Sequence, residues 1–68
     1  MSIRVTVNGT PTDLAAGTTV AVLVTGRSGG HDRVAVALNG DVVPRSRWTA
    51  TELCPGDRLE VLAPTAGG

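Results

Sequence analysis

The chain has no lysine, no phenylalanine and no tyrosine, and it holds one tryptophan, one histidine and one cysteine in 68 residues. Each shortage closes a line of chemistry. With Trp48 as the sole aromatic there is no platform on which nucleic-acid bases could stack. One cysteine, Cys54, forbids an internal disulfide, and no neighbouring histidine or basic residue marks it as a reactive thiol, so it reads as a semi-buried structural residue. His31 has no second histidine and only a distant cysteine, so a metal ligand set is missing and it reads as a loop histidine. Formal net charge is 0, six arginines against six acids, which gives neither nucleic acid nor an anionic membrane a reason to bind. The longest apolar runs, residues 20–24 and 34–38, fall far short of a membrane span. Gly29-Gly30 lacks the Gly-Lys-Ser/Thr of a phosphate loop, and Asp41, Asp57 and Glu60 form no recognisable catalytic pair.

What is present is small and strongly patterned. At this length one domain is expected, of marginal stability and with little room for a deep active-site pocket. Ile3, Val5 and Val7 alternate with polar residues as a half-buried strand, which argues against a signal peptide and for the cytoplasm. Asn8-Gly9 is a two-residue hairpin signal, and residues 10–14 form the returning strand, with Pro11 suited to a sheet edge. Thr18-Thr19 can cap a helix whose buried face is Val20, Leu23 and Val24. Val20, Val22 and Val24 are β-branched and also alternate, so a strand is allowed there by local propensity. Residues 26–32 read as a loop, and residues 33–38 as a second strong strand. Asn39-Gly40 repeats the hairpin signal, residues 41–43 return, and Pro44 stops them. Pro55-Gly56-Asp57 is a turn into a last strand over residues 58–63, with Leu59, Val61 and Ala63 inward and Arg58, Glu60 and Leu62 outward.

This order makes an α+β domain over residues 1–63: a mixed four- to five-stranded sheet wrapping one helix. If the first and last strands lie parallel at its centre, the result is a ubiquitin-like β-grasp. Residues 64–68, Pro64-Thr65-Ala66-Gly67-Gly68, then form a flexible C-terminal tail. Two terminal glycines place a carboxylate on a thin strip of backbone with no β-carbons, suited to threading a narrow channel. Pro64 would stiffen its exit, and fully extended it spans at most about 17 Å.

The segment Ala37-Leu38-Asn39-Gly40-Asp41-Val42-Val43-Pro44-Arg45-Ser46-Arg47-Trp48 resembles the hairpin of the thiamine-biosynthesis sulfur carrier (ThiS) family. Gly56-Asp57, the Ala66-Gly67-Gly68 end, the Val7-Asn8-Gly9 hairpin and the Ala16-Gly17-Thr18-Thr19-Val20 helix entry fit as well. Departures are Ala21-Val22-Leu23 where a Glu-Leu-Leu-like run is usual, the glycine-rich loop, and Cys54. The resemblance implies a carrier that is not itself an enzyme and binds no cofactor or metal. An E1-like adenylyltransferase would use ATP and Mg²⁺ to adenylate Gly68. A cysteine desulfurase or rhodanese-type protein would supply sulfur to make a thiocarboxylate, which thiazole synthase would consume. Gly67, Ala66, Thr65 and Pro64 would thread into these partners, and the carrier alone is expected to be a monomer.

For the remaining residues alternatives stay open. Leu62 is either a partner anchor beside the tail or a singly exposed leucine. Arg45 and Arg47 either meet acidic patches on the activating enzyme or are solvated. Trp48 either packs over the sheet or a loop, which is favoured, or is a contact hot spot. The small subunit of molybdopterin synthase, a carrier for another sulfur metabolite, a protein modifier and a plain binding module are the competing functions. Without lysine, a modifier could not build isopeptide chains on itself.

Overall fold

The computed structural model describes residues 1–28 and 34–62. Strand β1 (Ser2–Val7) pairs antiparallel with β2 (Thr10–Ala15). Between them Asn8 and Gly9 take φ of 51° and 83°, both positive as a type I′ turn requires, so the turn's twist matches that of the strands. Register runs from Ser2 opposite Ala15 to Val7 opposite Thr10. Val5 and Val7 therefore face the core while Arg4 lies outward opposite Asp13. Pro11 sits on β2, an edge strand, where its missing N–H costs no ladder bond.

Helix α1 (Val20–Ser28) follows. Thr19 accepts a hydrogen bond from the Val22 N–H on Oγ1 at 3.3 Å, a side-chain cap for a free helical donor. The first helical donor, the Val20 N–H, bonds the Thr51 carbonyl at 2.9 Å, and the Leu53 N–H bonds the Thr18 carbonyl at 2.9 Å. Val20, Leu23 and Val24 are buried, and Val22 is 63% exposed. The competing strand reading fails because burial follows the helical spacing i, i+3, i+4. The expected loop over residues 26–32 is corrected at its start: α1 runs through Gly26 to Ser28. Gly26 is not among the positive-φ glycines, and a helical glycine costs only about 1 kcal/mol. His31 and Gly29-Gly30 lie outside the described residues.

Strand β3 (Ala35–Leu38) and the short β4 (Asp41–Val42) form a second I′ hairpin, with φ of 52° at Asn39 and 90° at Gly40. Val43 is beyond β4, yet its N–H still bonds the Val36 carbonyl at 2.8 Å. A 3₁₀ helix (Arg45–Ala50), absent from the sequence reading, then packs against α1. Its one buried residue is Trp48. Strand β5 (Arg58–Leu62) closes the sheet in the order β2-β1-β5-β3-β4, parallel to β1 and antiparallel to β3.

The core lies between this sheet and the helical layer: Val5, Val7, Val20, Leu23, Val24, Val34, Val36, Trp48, Leu53 and Leu59. Among the described residues no buried side-chain polar atom lacks a partner. Cys54 is a correction, since it is exposed. It opens the turn into β5, where its N–H bonds Asp57 Oδ2 at 2.7 Å and its carbonyl accepts the Asp57 N–H at 3.1 Å. The adjacent Leu53 takes the core position, which leaves the thiol on the outside.

Candidate functional site at the end of the central strand

The proposed reactive and threading residues, Gly68, Gly67, Ala66, Thr65 and Pro64, lie outside the described residues, as does Ala63. The strand that leads to them is fully described. β5 occupies the middle of the sheet, and Leu59 on it is 1% exposed. Val61 is half-buried on the core side, while Arg58, Glu60 and Leu62 are exposed. This is the inward-outward alternation read from the sequence.

Side chains on the sheet face opposite the helix follow from register. At one end Arg4 holds Asp13 by a two-pronged contact, Nε to Oδ1 at 2.8 Å and an Nη to Oδ2 at 3.3 Å. That hydrogen bond, then the Arg4 charge, holds the Asp13 carboxyl below its ordinary pKa, and the same contact raises that of Arg4. Next come Thr6 and Arg58, which are register partners. Beyond them Glu60 faces Ala37, Ala37 faces Val42, and Leu62 faces Ala35. Leu62 is 64% exposed and Val42 76% exposed, so this end of the face is an apolar patch around the acid Glu60.

A shallow cleft of about 330 Å³ opens between the two hairpin tips, lined by Thr6, Gly9, Asn39, Gly40, Arg58, Leu59 and Glu60. No group of three or more His, Cys, Asp or Glu residues that could hold a metal occurs among the described residues. No helix of the described residues is long and apolar enough to cross a membrane.

Leu62, Arg45, Arg47 and Trp48 do not share one surface. Leu62 belongs to the outer sheet face, whereas the 3₁₀ helix bearing the other three lies in the helical layer. Trp48 packs into the core and donates its indole N–H to the Val43 carbonyl at 2.9 Å. The Arg45 guanidinium carbon stands 5.4 Å from the centroid of that ring, a cation–π contact. Arg47 is exposed, and its carbonyl accepts the Thr51 hydroxyl at 2.7 Å. Sequence reasoning missed the hydrogen-bonding roles of Asn8, Asn39 and Asp57. The Asn-Gly signal locates both turns but says nothing of what the asparagine amides reach.

A mixed sheet with its first and last strands parallel at the centre, two hairpins and one covering helix is the ubiquitin-like β-grasp fold. The ThiS family model matches residues 5–68. A crystal structure of the thiamine biosynthesis protein ThiS from Geobacter metallireducens superimposes with a TM-score of 0.80 at 33% identity, over 97% of this chain and 100% of that one. No curated protein matches the chain in sequence. The chain belongs to the ThiS family of small sulfur carriers.

Proposed function

We propose that the chain carries sulfur for thiamine biosynthesis as a thiocarboxylate at Gly68. The observation that carries this reading is a family match running from β1 through the Gly67-Gly68 end. It is supported by the activity in the name of the Geobacter protein. The chemistry follows from the carboxylate. Its charge and resonance make it a poor electrophile, so it must first be activated. An E1-like adenylyltransferase joins Gly68 to AMP, using ATP and Mg²⁺ and releasing pyrophosphate. A persulfide sulfur from a desulfurase or rhodanese-type donor attacks the acyl carbon and AMP leaves. Reductive cleavage of the resulting acyl disulfide by a thiol leaves sulfur in place of one carboxyl oxygen. Thiazole synthase takes the sulfur from there.

The chain's own part is positional, as for a group-carrying cofactor. β5 is clamped between β1 and β3, so its end is fixed relative to the sheet face. Leu62, Ala35, Ala37 and Val42 offer the adenylyltransferase an apolar patch beside the tail's root. All these steps belong in the cytoplasm, where ATP is at hand.

The test is intact-mass analysis after incubation with ATP, Mg²⁺, the adenylyltransferase and a sulfur source. The chain gains the mass difference between sulfur and oxygen, removal of Gly68 abolishes the gain, and Gly67→Ala slows it. Normal adenylation of a chain ending at Gly67 would refute the reading. A protein modifier would instead appear joined to a second protein.

A further inference from the structure

We infer that Asn8 is a positioning residue for the tail: its side-chain amide supplies the last rung between β5 and β1 among the described residues, and so fixes the end of β5 to which residues 63–68 are joined. The inference rests on the sulfur-carrier reading for its consequence and on the hydrogen bonds alone for its geometry.

Main-chain polar groups along a strand alternate sides. The Arg58 carbonyl accepts the Asn39 N–H from the hairpin that extends β3, while the Leu59 carbonyl accepts the Asn8 N–H at 2.9 Å on the β1 side. By the same alternation Val61 turns its N–H and carbonyl toward β1. A parallel ladder would next offer Val61 a main-chain acceptor and then a donor. The chain has none to give there, because β1 ends at Val7 and Asn8, at φ 51°, bends away into the turn. The Asn8 carboxamide fills both places. Its Oδ1 accepts the Val61 N–H at 2.8 Å, and its Nδ2 donates to the Val61 carbonyl at 3.2 Å.

Turn geometry alone does not select this residue. Glycine and aspartate also tolerate the left-handed conformation, but asparagine adds a donor and an acceptor in one planar group. Nor does core packing need it, since Asn8 is exposed. Asn39 makes a counterpart at the opposite end of β5. Its Oδ1 accepts the Arg58 N–H at 2.9 Å and its Nδ2 donates to Asp57 Oδ1 at 3.1 Å. Each hairpin tip thus grips one end of the central strand, and only the Asn8 grip is at the end where the tail begins.

The decisive variant is Asn8→Gly, which keeps the turn and deletes both side-chain bonds. Amide hydrogen exchange at Val61 should accelerate about fivefold, the factor one net hydrogen bond is worth, with Leu59 unchanged. A root that is correctly placed for a smaller fraction of the time raises apparent binding constants by that fraction. KM for the carrier in the adenylyltransferase reaction should therefore rise by the ratio of the correctly placed fractions, wild type over variant, with kcat unchanged. Asn8→Asp, which keeps the acceptor and loses the donor, should fall between. Asn39→Gly is the control and should leave KM at the wild-type value. Unchanged Val61 exchange in Asn8→Gly overturns the inference, as does faster exchange without a KM rise. An equal KM rise in Asn39→Gly also overturns it, because general loosening would then explain the effect. A wild-type chain that no adenylyltransferase activates sinks the carrier reading instead, and the tail-positioning role with it.

Discussion

Trp48 is the sharpest test of how this small core is held. Its ring is 9% exposed, packs in the core cluster, and donates its N–H to the Val43 carbonyl. Trp48→Phe keeps a ring but loses that bond and part of the indole volume. One net hydrogen bond is worth about 1 kcal/mol, and incomplete filling adds a comparable amount. For a domain of this size each kcal/mol shifts Tm by roughly 4–8 °C, so the variant should melt about 8–16 °C lower. Trp48→Ala removes the ring altogether and should cost about 3–5 kcal/mol. At roughly 0.05–0.15 kcal/mol per residue the whole domain has only about 3–10 kcal/mol of stability, so the alanine variant should lose roughly a third of it or more. Because Trp48 is the only aromatic residue, thermal melts should be followed by far-UV circular dichroism and not by fluorescence. A Trp48→Ala chain that melts within a few degrees of wild type would show that the ring does not close the core. The residue would then belong to a contact surface.

Two further outcomes follow from the outer sheet face. Leu62→Asp should leave stability within about 0.5 kcal/mol, as expected of an exposed position, yet weaken capture by the adenylyltransferase, seen as a higher KM; an unaltered KM would make Leu62 a singly exposed leucine. The Arg4–Asp13 pair should give a small pH dependence of fixed sign, because Asp13 is held below its ordinary pKa when folded. Its contribution is present above the unfolded carboxyl pKa and is lost as pH falls through the lower folded value, so the Tm difference between wild type and Asp13→Asn should begin to shrink near pH 4, vanish only below the folded carboxyl pKa, and shrink in high salt. A difference that persists undiminished at about pH 2 would mean the carboxylate charge is not its origin.

The pattern of the sheet was legible because it rests on local rules. Alternation in residues 3–7 and 58–62 marks which side chains face the core, and Asn-Gly at 8–9 and 39–40 marks positions that need positive φ. The end of α1 was misplaced because Gly26 carries a loop signal that an established helix overrides. The 3₁₀ helix went unseen because Arg45–Ala50 has one apolar anchor, Trp48, and one anchor sets no period. Residue type favours a semi-buried Cys54, since cysteine is often inside, whereas the adjacent Leu53 fills that site. Leu62 stands out by strand alternation and Arg45, Arg47 and Trp48 by residue type and family resemblance, and nothing local reveals that two layers of the domain separate Leu62 from the others.

The amino-acid sequence by itself determined the strands, the two turns, the helix face and the residues after β5, because propensity, turn stereochemistry and apolar spacing act over a few neighbours. Only the tertiary structure decided that β5 lies between β1 and β3, that Trp48 closes the helical layer, and that Asn8 grips Val61 from 53 positions away. Such pairings form when distant segments are brought together by burial of a shared core, and no local pattern encodes which partner a polar group will find there.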